Sequence, residues 1–117
     1  MQVMGYDFHI TRRQFWADEH GPAISLAEWL DYASGDSEIE PDHENPGSEN
    51  WLVVSHAEKW PLWWELGEVY TKNPDPAVIR KMISIARALD ARVQDDDGEI
   101  HSEDSFDPAD AVRGRSI

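Results

Sequence analysis

The feature that constrains the fold of this chain most strongly lies within residues 60–99. It is a tryptophan-rich hairpin followed directly by a well-capped helix. Two short apolar stretches flank the pair Leu66-Gly67, which is typical of a tight turn because glycine accepts a positive φ. The register set by this turn predicts the facing pairs Glu65–Glu68, Trp64–Val69 and Trp63–Tyr70. The last pair is an aromatic cross-strand contact of the kind that stabilises sheets.

The segment after the hairpin predicts an amphipathic helix. Its start is marked by Asn73-Pro74-Asp75-Pro76, where either Asn73 or Asp75 can cap the helix and a proline fits the first helical position. Apolar residues then recur at helical spacing: Val78, Ile79, Met82, Ile83, Ala86 and Leu89. A short strand at 91–94 and an acidic turn at 95–99 follow, with residues 100 and 101 as a further hairpin partner.

The N-terminal half predicts a strand, a helix and a second strand. Residues 5–12 alternate between apolar and polar, as a half-buried strand does, and Phe15 and Trp16 are expected to close the end of the core. Ser25 and Glu28 have the spacing of a capping box, which places a helix start at Ser25 and its end near residues 34–35. The apolar, β-branched stretch at 51–56 predicts a strand.

These elements follow the order β-α-β-β-β-α-β and predict an α+β fold. We expect a mostly antiparallel sheet with two amphipathic helices packed on one side. The expected organisation is a single domain over residues 1–101, with an acidic loop at 35–50, and a loose acidic tail at 102–117. Loop 35–50 contains one isolated apolar residue, Ile39, and is expected to be solvated.

Length and composition limit the classes of protein. A chain of 117 residues with 40% hydrophobic residues and six tryptophans is long enough for one domain with a real core. It contains no cysteine, which excludes disulfides and thiolate metal sites. Neither a membrane-spanning apolar run nor a signal-peptide pattern is present, so we expect a cytoplasmic protein.

The charge is extreme and unevenly distributed. The formal net charge is −14, and residues 14–58 contain eleven acidic residues and no lysine or arginine. Residues 59–92 are mildly basic, and residues 93–112 are again purely acidic. Such a chain repels nucleic acid and anionic membranes and attracts basic proteins. Acidity that only maintains solubility is the alternative.

Two acidic segments and one aromatic residue form the candidate partner-binding surface. If both segments lie at one edge of the sheet, they form a negative surface that fits the basic cleft of a nuclease or a similar enzyme. The candidate residues are Asp36, Glu38, Glu40, Asp42, Glu44, Glu49, Trp63, Asp95, Asp96, Asp97 and Glu99. Two independently solvated loops are the alternative.

Other candidate sites are weaker. Asp7, His9 and Thr11 share one face of the first strand, and Asp7 at that spacing is able to orient His9 as a general base, although no nucleophile accompanies them. Residues 95–99 resemble part of a calcium loop but lack strong ligands at its first position. We therefore predict no catalytic residue, no metal site and no cofactor.

Four patches carry a resemblance to a group of small, uncharacterised bacterial proteins: MGYDFHITR from Met4, ISLAEWL at 24–30, YTKNPD at 70–75 and IARALDARVQDDDGE at 85–99. The resemblance covers residues 4 to about 101 and implies that residues 1–3 are an extension. Such small acidic proteins look like the immunity proteins that neutralise toxins between competing bacteria.

The sequence thus leads to one main hypothesis of function. We expect a non-enzymatic, cytoplasmic inhibitor of immunity type that neutralises a basic protein partner, such as a bacterial toxin or nuclease, through an acidic surface. One alternative is a nucleic-acid mimic that inhibits a host protein, which requires acidic residues in two ordered rows. The other is a small enzyme that uses Asp7 and His9.

Overall fold

A computed structural model of the chain describes residues 6–54 and 58–102. Within these residues, seven strands and two helices follow one another along the chain. They are β1 (Asp7–Thr11), α1 (Leu26–Ser34), β2 (Ile39–Pro41), β3 (Asn50–Val53), β4 (Trp60–Glu65), β5 (Glu68–Lys72), α2 (Pro76–Ala88), β6 (Arg92–Asp95) and β7 (Ile100–His101). The expected extension at residues 1–3 lies outside the described residues, as does the expected tail beyond Ser102.

The seven strands form one antiparallel sheet in the order β2-β3-β4-β5-β1-β6-β7. The predicted α+β class and the predicted order of elements are confirmed, the further hairpin partner at residues 100 and 101 forms β7, and two short strands, β2 and β7, lie at the edges of the sheet. One of them, β2, lies inside the loop that we expected to be solvated. Its Ile39 faces Val53 of β3 and is only 6% exposed, so this isolated apolar residue does join the core.

The hairpin β4–β5 has the predicted register. Its turn residues Leu66 and Gly67 have φ of 54° and 88°, and Trp63 faces Tyr70 across the strands. The backbone N–H of Ile24 donates to the carbonyl of Gly67 at 2.9 Å. This bond ties the turn to the segment that leads into α1.

Both helices begin where their capping residues predict. Ser25 and Glu28 form a complete capping box at α1, with both bonds at 3.0 Å. Asp75, rather than Asn73, caps α2 by accepting from the Val78 N–H at 2.9 Å, and Pro76 occupies the first helical position. Because these side chains satisfy backbone donors that the helix leaves open, each helix start is determined locally.

The core lies between the helices and one face of the sheet. Strand residues that alternate onto this inner face are buried together with the apolar stripe of α2. They include Ile10, Leu62, Val69 and Val93 from the sheet and Met82 from α2. At the other end of the sheet, Trp29 of α1 packs edge to face on Trp51 of β3, with ring centroids 6.3 Å apart. No helix within the described ranges is long and apolar enough to cross a membrane.

Candidate functional site on the outer face of the sheet

A row of neighbouring aromatic rings crosses the outer face of the sheet, opposite the helices. Trp63 on β4 lies 5.2 Å from Tyr70 on β5, and Tyr70 lies 6.3 Å from His9 on β1, measured between ring centroids. Trp16 covers His9 at 3.9 Å with the two planes inclined by 7°. Since Trp63 faces Tyr70 and Tyr70 faces His9 in the strand register, the row follows directly from the antiparallel pairing.

Neighbouring residues Trp63 and Trp64 point to opposite faces, as alternation along a strand requires. Trp64 turns inward, and its indole N–H donates to the carbonyl of Ile24 at 2.9 Å. Trp63 remains partly exposed on the outer face. Trp63 is therefore a partly exposed tryptophan of this hairpin on the outer face of the sheet.

A groove of about 490 Å³ adjoins Trp63 at the β2–β3–β4 edge. Its apolar walls come from Leu52, Pro61 and Trp63. We call it the acidic groove, and its lining residues are Glu40, Asp42, His43, Glu44, Asn45, Leu52, Lys59, Pro61 and Trp63. An apolar wall beside several carboxylates is suited to a partner that offers both a hydrophobic and a cationic group.

The candidate acidic residues of segment 36–49 have different environments. Asp36 and Glu38 both pair with Lys81 of α2, at 2.8 and 2.7 Å, and do not line the groove. Burial alone would raise the pKa of Asp36, but hydrogen bonds from Lys81, Tyr32 and the Glu38 N–H outweigh it and lower that pKa. These two carboxylates join α2 to the segment after α1.

Three further carboxylates of this segment line the acidic groove, and a fourth, Glu49, lies outside its lining. Asp42 is buried, and its carboxylate accepts from the Glu44 and Asn45 N–H groups and the Asn45 amide, so it shapes the loop. Glu40 pairs with Lys59 at 3.0 Å. Glu44 is exposed at the groove and Glu49 is exposed outside its lining.

The second acidic segment lies at the opposite edge of the sheet. Residues 96–99 connect β6 to β7, whereas segment 36–49 surrounds β2. Asp95 is buried and organises its own turn, because it accepts the N–H groups of Asp97 and Glu99 at 3.0 Å and pairs with His101 at 3.0 Å. The candidate partner surface therefore divides into two groups that do not border one another.

His9 lies at the centre of the outer face and is only 2% exposed. Its Nδ1 lies 2.9 Å from Glu68 Oε1, and its Nε2 lies 2.9 Å from Asp96 Oδ1. Burial by itself would lower the pKa of His9, but the hydrogen bonds with Glu68 and Asp96 raise it overall. The predicted orienting contact from Asp7 is wrong, since the Asp7 carboxylate pairs with Lys72 at 3.3 Å.

The segment between β1 and α1 covers this histidine. The amide of Gln94 accepts from the Trp16 N–H at 2.8 Å and donates to the Gln14 carbonyl at 2.7 Å, which fixes the segment over the sheet. The Trp16 indole N–H donates to the Asp96 carbonyl at 3.1 Å. The expectation that Trp16 closes the inner core is wrong, because it packs on the outer face, and Phe15 beside it is 39% exposed.

Sequence reasoning missed Glu68 and Asp96 as the partners of His9. Glu68 alternates onto the outer face of β5, and Asp96 directly follows β6. Their proximity to His9 depends on β1 lying between β5 and β6, and no local pattern encodes that strand order.

Comparison of the chain with protein-family models found no match, and comparisons with curated proteins and with solved structures gave no significant match.

Proposed function

We propose that this protein is a non-enzymatic binding protein that captures a basic protein partner in the acidic groove beside Trp63. The observation that carries the proposal is the position of a partly exposed tryptophan in the wall of a groove bordered by carboxylates. The resemblance to small bacterial proteins favours an inhibitor of immunity type, acting in the cytoplasm on a basic toxin or nuclease.

Trp63 supplies the apolar part of the proposed interface. Partly exposed tryptophan in a pocket is the residue type most enriched among the side chains that dominate binding energy. Tyr70 supports one side of the indole, and Leu52 and Pro61 border the groove, so the anchor is held by a rigid sheet. A rigid anchor loses little conformational entropy when a partner binds.

Charge supplies selectivity for a basic partner. The chain carries a net charge of −14, and Glu40 and Glu44 lie at the groove. Lys59, which pairs with Glu40, has an exposed side chain and can turn into solvent when a partner cation approaches. Such a field accelerates association with cationic proteins and disfavours nucleic acid as a ligand.

The observed contacts do not favour the nucleic-acid mimic. That alternative needs two ordered rows of free carboxylates. Lys81 pairs with both Asp36 and Glu38. The carboxylate of Asp42 is hydrogen-bonded within its own loop. Of the other carboxylates, Glu40 pairs with the exposed Lys59, and Glu44 and Glu49 are exposed. These three do not continue into the acidic turn at the other sheet edge.

The test is a comparative capture from lysate of the source organism at low salt. Immobilised wild-type protein, Trp63→Ala and Glu44→Gln are compared, and proteins that elute as salt rises are identified. We expect a basic protein that Trp63→Ala binds at least about ten-fold more weakly, with an association rate that falls steeply with ionic strength.

Asp31→Asn is the matched control, since it removes one exposed carboxylate from α1 on the other side of the molecule. Melting temperatures confirm that each variant is folded. A partner whose association rate ignores salt, or whose binding is lost on substituting Arg80 and Arg87 of α2 but not Trp63, would contradict the proposal.

A further inference from the structure

The outer face brings three potential metal ligands together beside the aromatic row. Asp7 and His9 alternate onto this face from β1, and Asp96 follows β6 directly beside them. One ligand atom from each of the three residues lies within 4.8 Å of the others. We propose that Asp7, His9 and Asp96 bind a divalent transition-metal ion through one imidazole nitrogen and two carboxylates.

The orientation of the histidine ring fits this role. Glu68 holds Nδ1 at 2.9 Å, and Trp16 stacks on the ring, so Nε2 is directed at Asp96. Histidines that bind metals commonly donate their second ring N–H to a carboxylate, which fixes the tautomer and increases ligand basicity. Glu68 is therefore the positioning residue of the proposed site.

The charge around the ring also favours a divalent cation. Three carboxylates, those of Asp7, Glu68 and Asp96, surround one imidazole and one lysine, Lys72. A divalent ion bound between Asp7 and Asp96 offsets two of these three negative charges, whereas Lys72 offsets one. Lys72 is 57% exposed in its side chain and can leave Asp7 without losing a buried contact.

Ligand type indicates the class of ion. Mixed imidazole and carboxylate ligands suit a transition metal better than Mg²⁺ or Ca²⁺, which prefer oxygen alone. Mn²⁺ accepts both nitrogen and oxygen ligands and is paramagnetic, so it is the appropriate probe.

A second group of possible metal ligands is less suited to an ion. It consists of Asp95, Glu99 and His101. Asp95 already accepts two backbone N–H groups with one oxygen and pairs with His101 through the other. Its carboxylate is therefore committed to the turn. Asp96 is also engaged, since its Oδ2 accepts the Asp7 N–H at 2.9 Å and its Oδ1 faces His9 Nε2. The first group differs in Asp7, whose carboxylate makes its described contact with the exposed Lys72.

The experiment titrates the full chain with Mn²⁺ and follows the paramagnetic resonance signal of the free ion. We expect one ion per chain, with nitrogen coupling from one imidazole in the pulsed spectrum. Asp7→Asn should weaken binding at least about ten-fold. Lys72→Gln should tighten binding several-fold because it removes the competing cation.

Asp97→Asn is the matched control, since it removes a neighbouring carboxylate whose described side-chain contact is with the Tyr6 hydroxyl. It should leave the affinity for Mn²⁺ within about two-fold. Loss of binding in Glu99→Gln but not in Asp7→Asn would move the ion to the second group and overturn the proposal. A free-ion signal unchanged by millimolar protein, or nitrogen coupling that disappears in His101→Gln, would also overturn it.

Discussion

The indole of Trp16 lies flat against the imidazole of His9, with the ring centroids 3.9 Å apart and the planes inclined by 7°. This contact attaches the segment after β1 to the outer face of the sheet. It also covers the ring of His9, whose side chain is only 3% exposed where it bonds with Glu68 and Asp96. The stability of the outer face and the shape of the proposed metal site therefore depend on one aromatic residue.

Trp16→Leu should lower the free energy of unfolding by about 2 kcal/mol, because it removes both the ring stacking and the indole bond to the Asp96 carbonyl. Urea denaturation at neutral pH measures the change. Phe15→Leu is the control, since Phe15 is 39% exposed and should change stability by less than half as much. Equal effects of the two variants would contradict a specific role for the stacked ring.

Gly67→Ala should destabilise the protein by about 2–3 kcal/mol. Gly67 has φ of +88°, and a Cβ there would lie 2.7 Å from the Cβ of Ala23. Gly35→Ala is the matched control because its φ is −98° and the nearest atom to an added Cβ is 3.7 Å away. Thermal unfolding should show a clear loss for the first variant and a change within about 0.5 kcal/mol for the second.

Asp75→Ala should cost about 1 kcal/mol, because the Val78 N–H loses its capping partner at the start of α2. The measurement is helix content and the denaturation midpoint in urea. Asp31→Ala, at an exposed position of α1, removes a carboxylate that caps no helix and should change stability by a few tenths of a kcal/mol. If both variants lose stability equally, charge rather than capping determines the effect.

Asp36→Asn should lower stability at neutral pH by about 1–3 kcal/mol, since it breaks a nearly buried pair with Lys81. The pKa of Asp36 is lower in the folded protein than its ordinary value of 3.8. Its contribution is therefore fully present above that value and is lost as the pH falls through the lower folded pKa.

Urea denaturation between about pH 6 and pH 2 tests the pH dependence of this pair. The wild-type protein should lose more stability on acidification than Asp36→Asn, so the two curves should converge at low pH. Parallel curves would show that another carboxylate carries the acid sensitivity. Glu49→Gln is the control, because Glu49 is exposed and should leave the pH dependence unchanged.

Local signals predicted most of the fold. The capping box of Ser25 and Glu28, the proline after Asp75 and the turn at Leu66-Gly67 each act within four residues. The helix starts and the turn that these signals specify therefore depend little on the rest of the chain. Local signals did not predict the strand β2 inside loop 35–50. The burial of Ile39 in that strand depends on its pairing with Val53, fourteen residues away.

The candidate sites were less predictable because they combine distant segments. The acidic groove required β2, β3 and β4 to meet, and four of the candidate residues, Glu40, Asp42, Glu44 and Trp63, line it. The sequence had no means of separating them from Asp36 and Glu38, since the lysine that neutralises those two, Lys81, lies on α2.

The sequence alone determined which face of each strand and helix is apolar, where the elements begin, and that the chain is strongly acidic, because these properties depend on neighbouring residues. Only the tertiary structure decided that His9 lies between Glu68 and Asp96, 59 and 87 positions away, under Trp16. It also decided that the two acidic segments lie at opposite edges of the sheet. The physical reason is strand order, which arises from the packing of the whole core and leaves no trace in any short stretch of sequence.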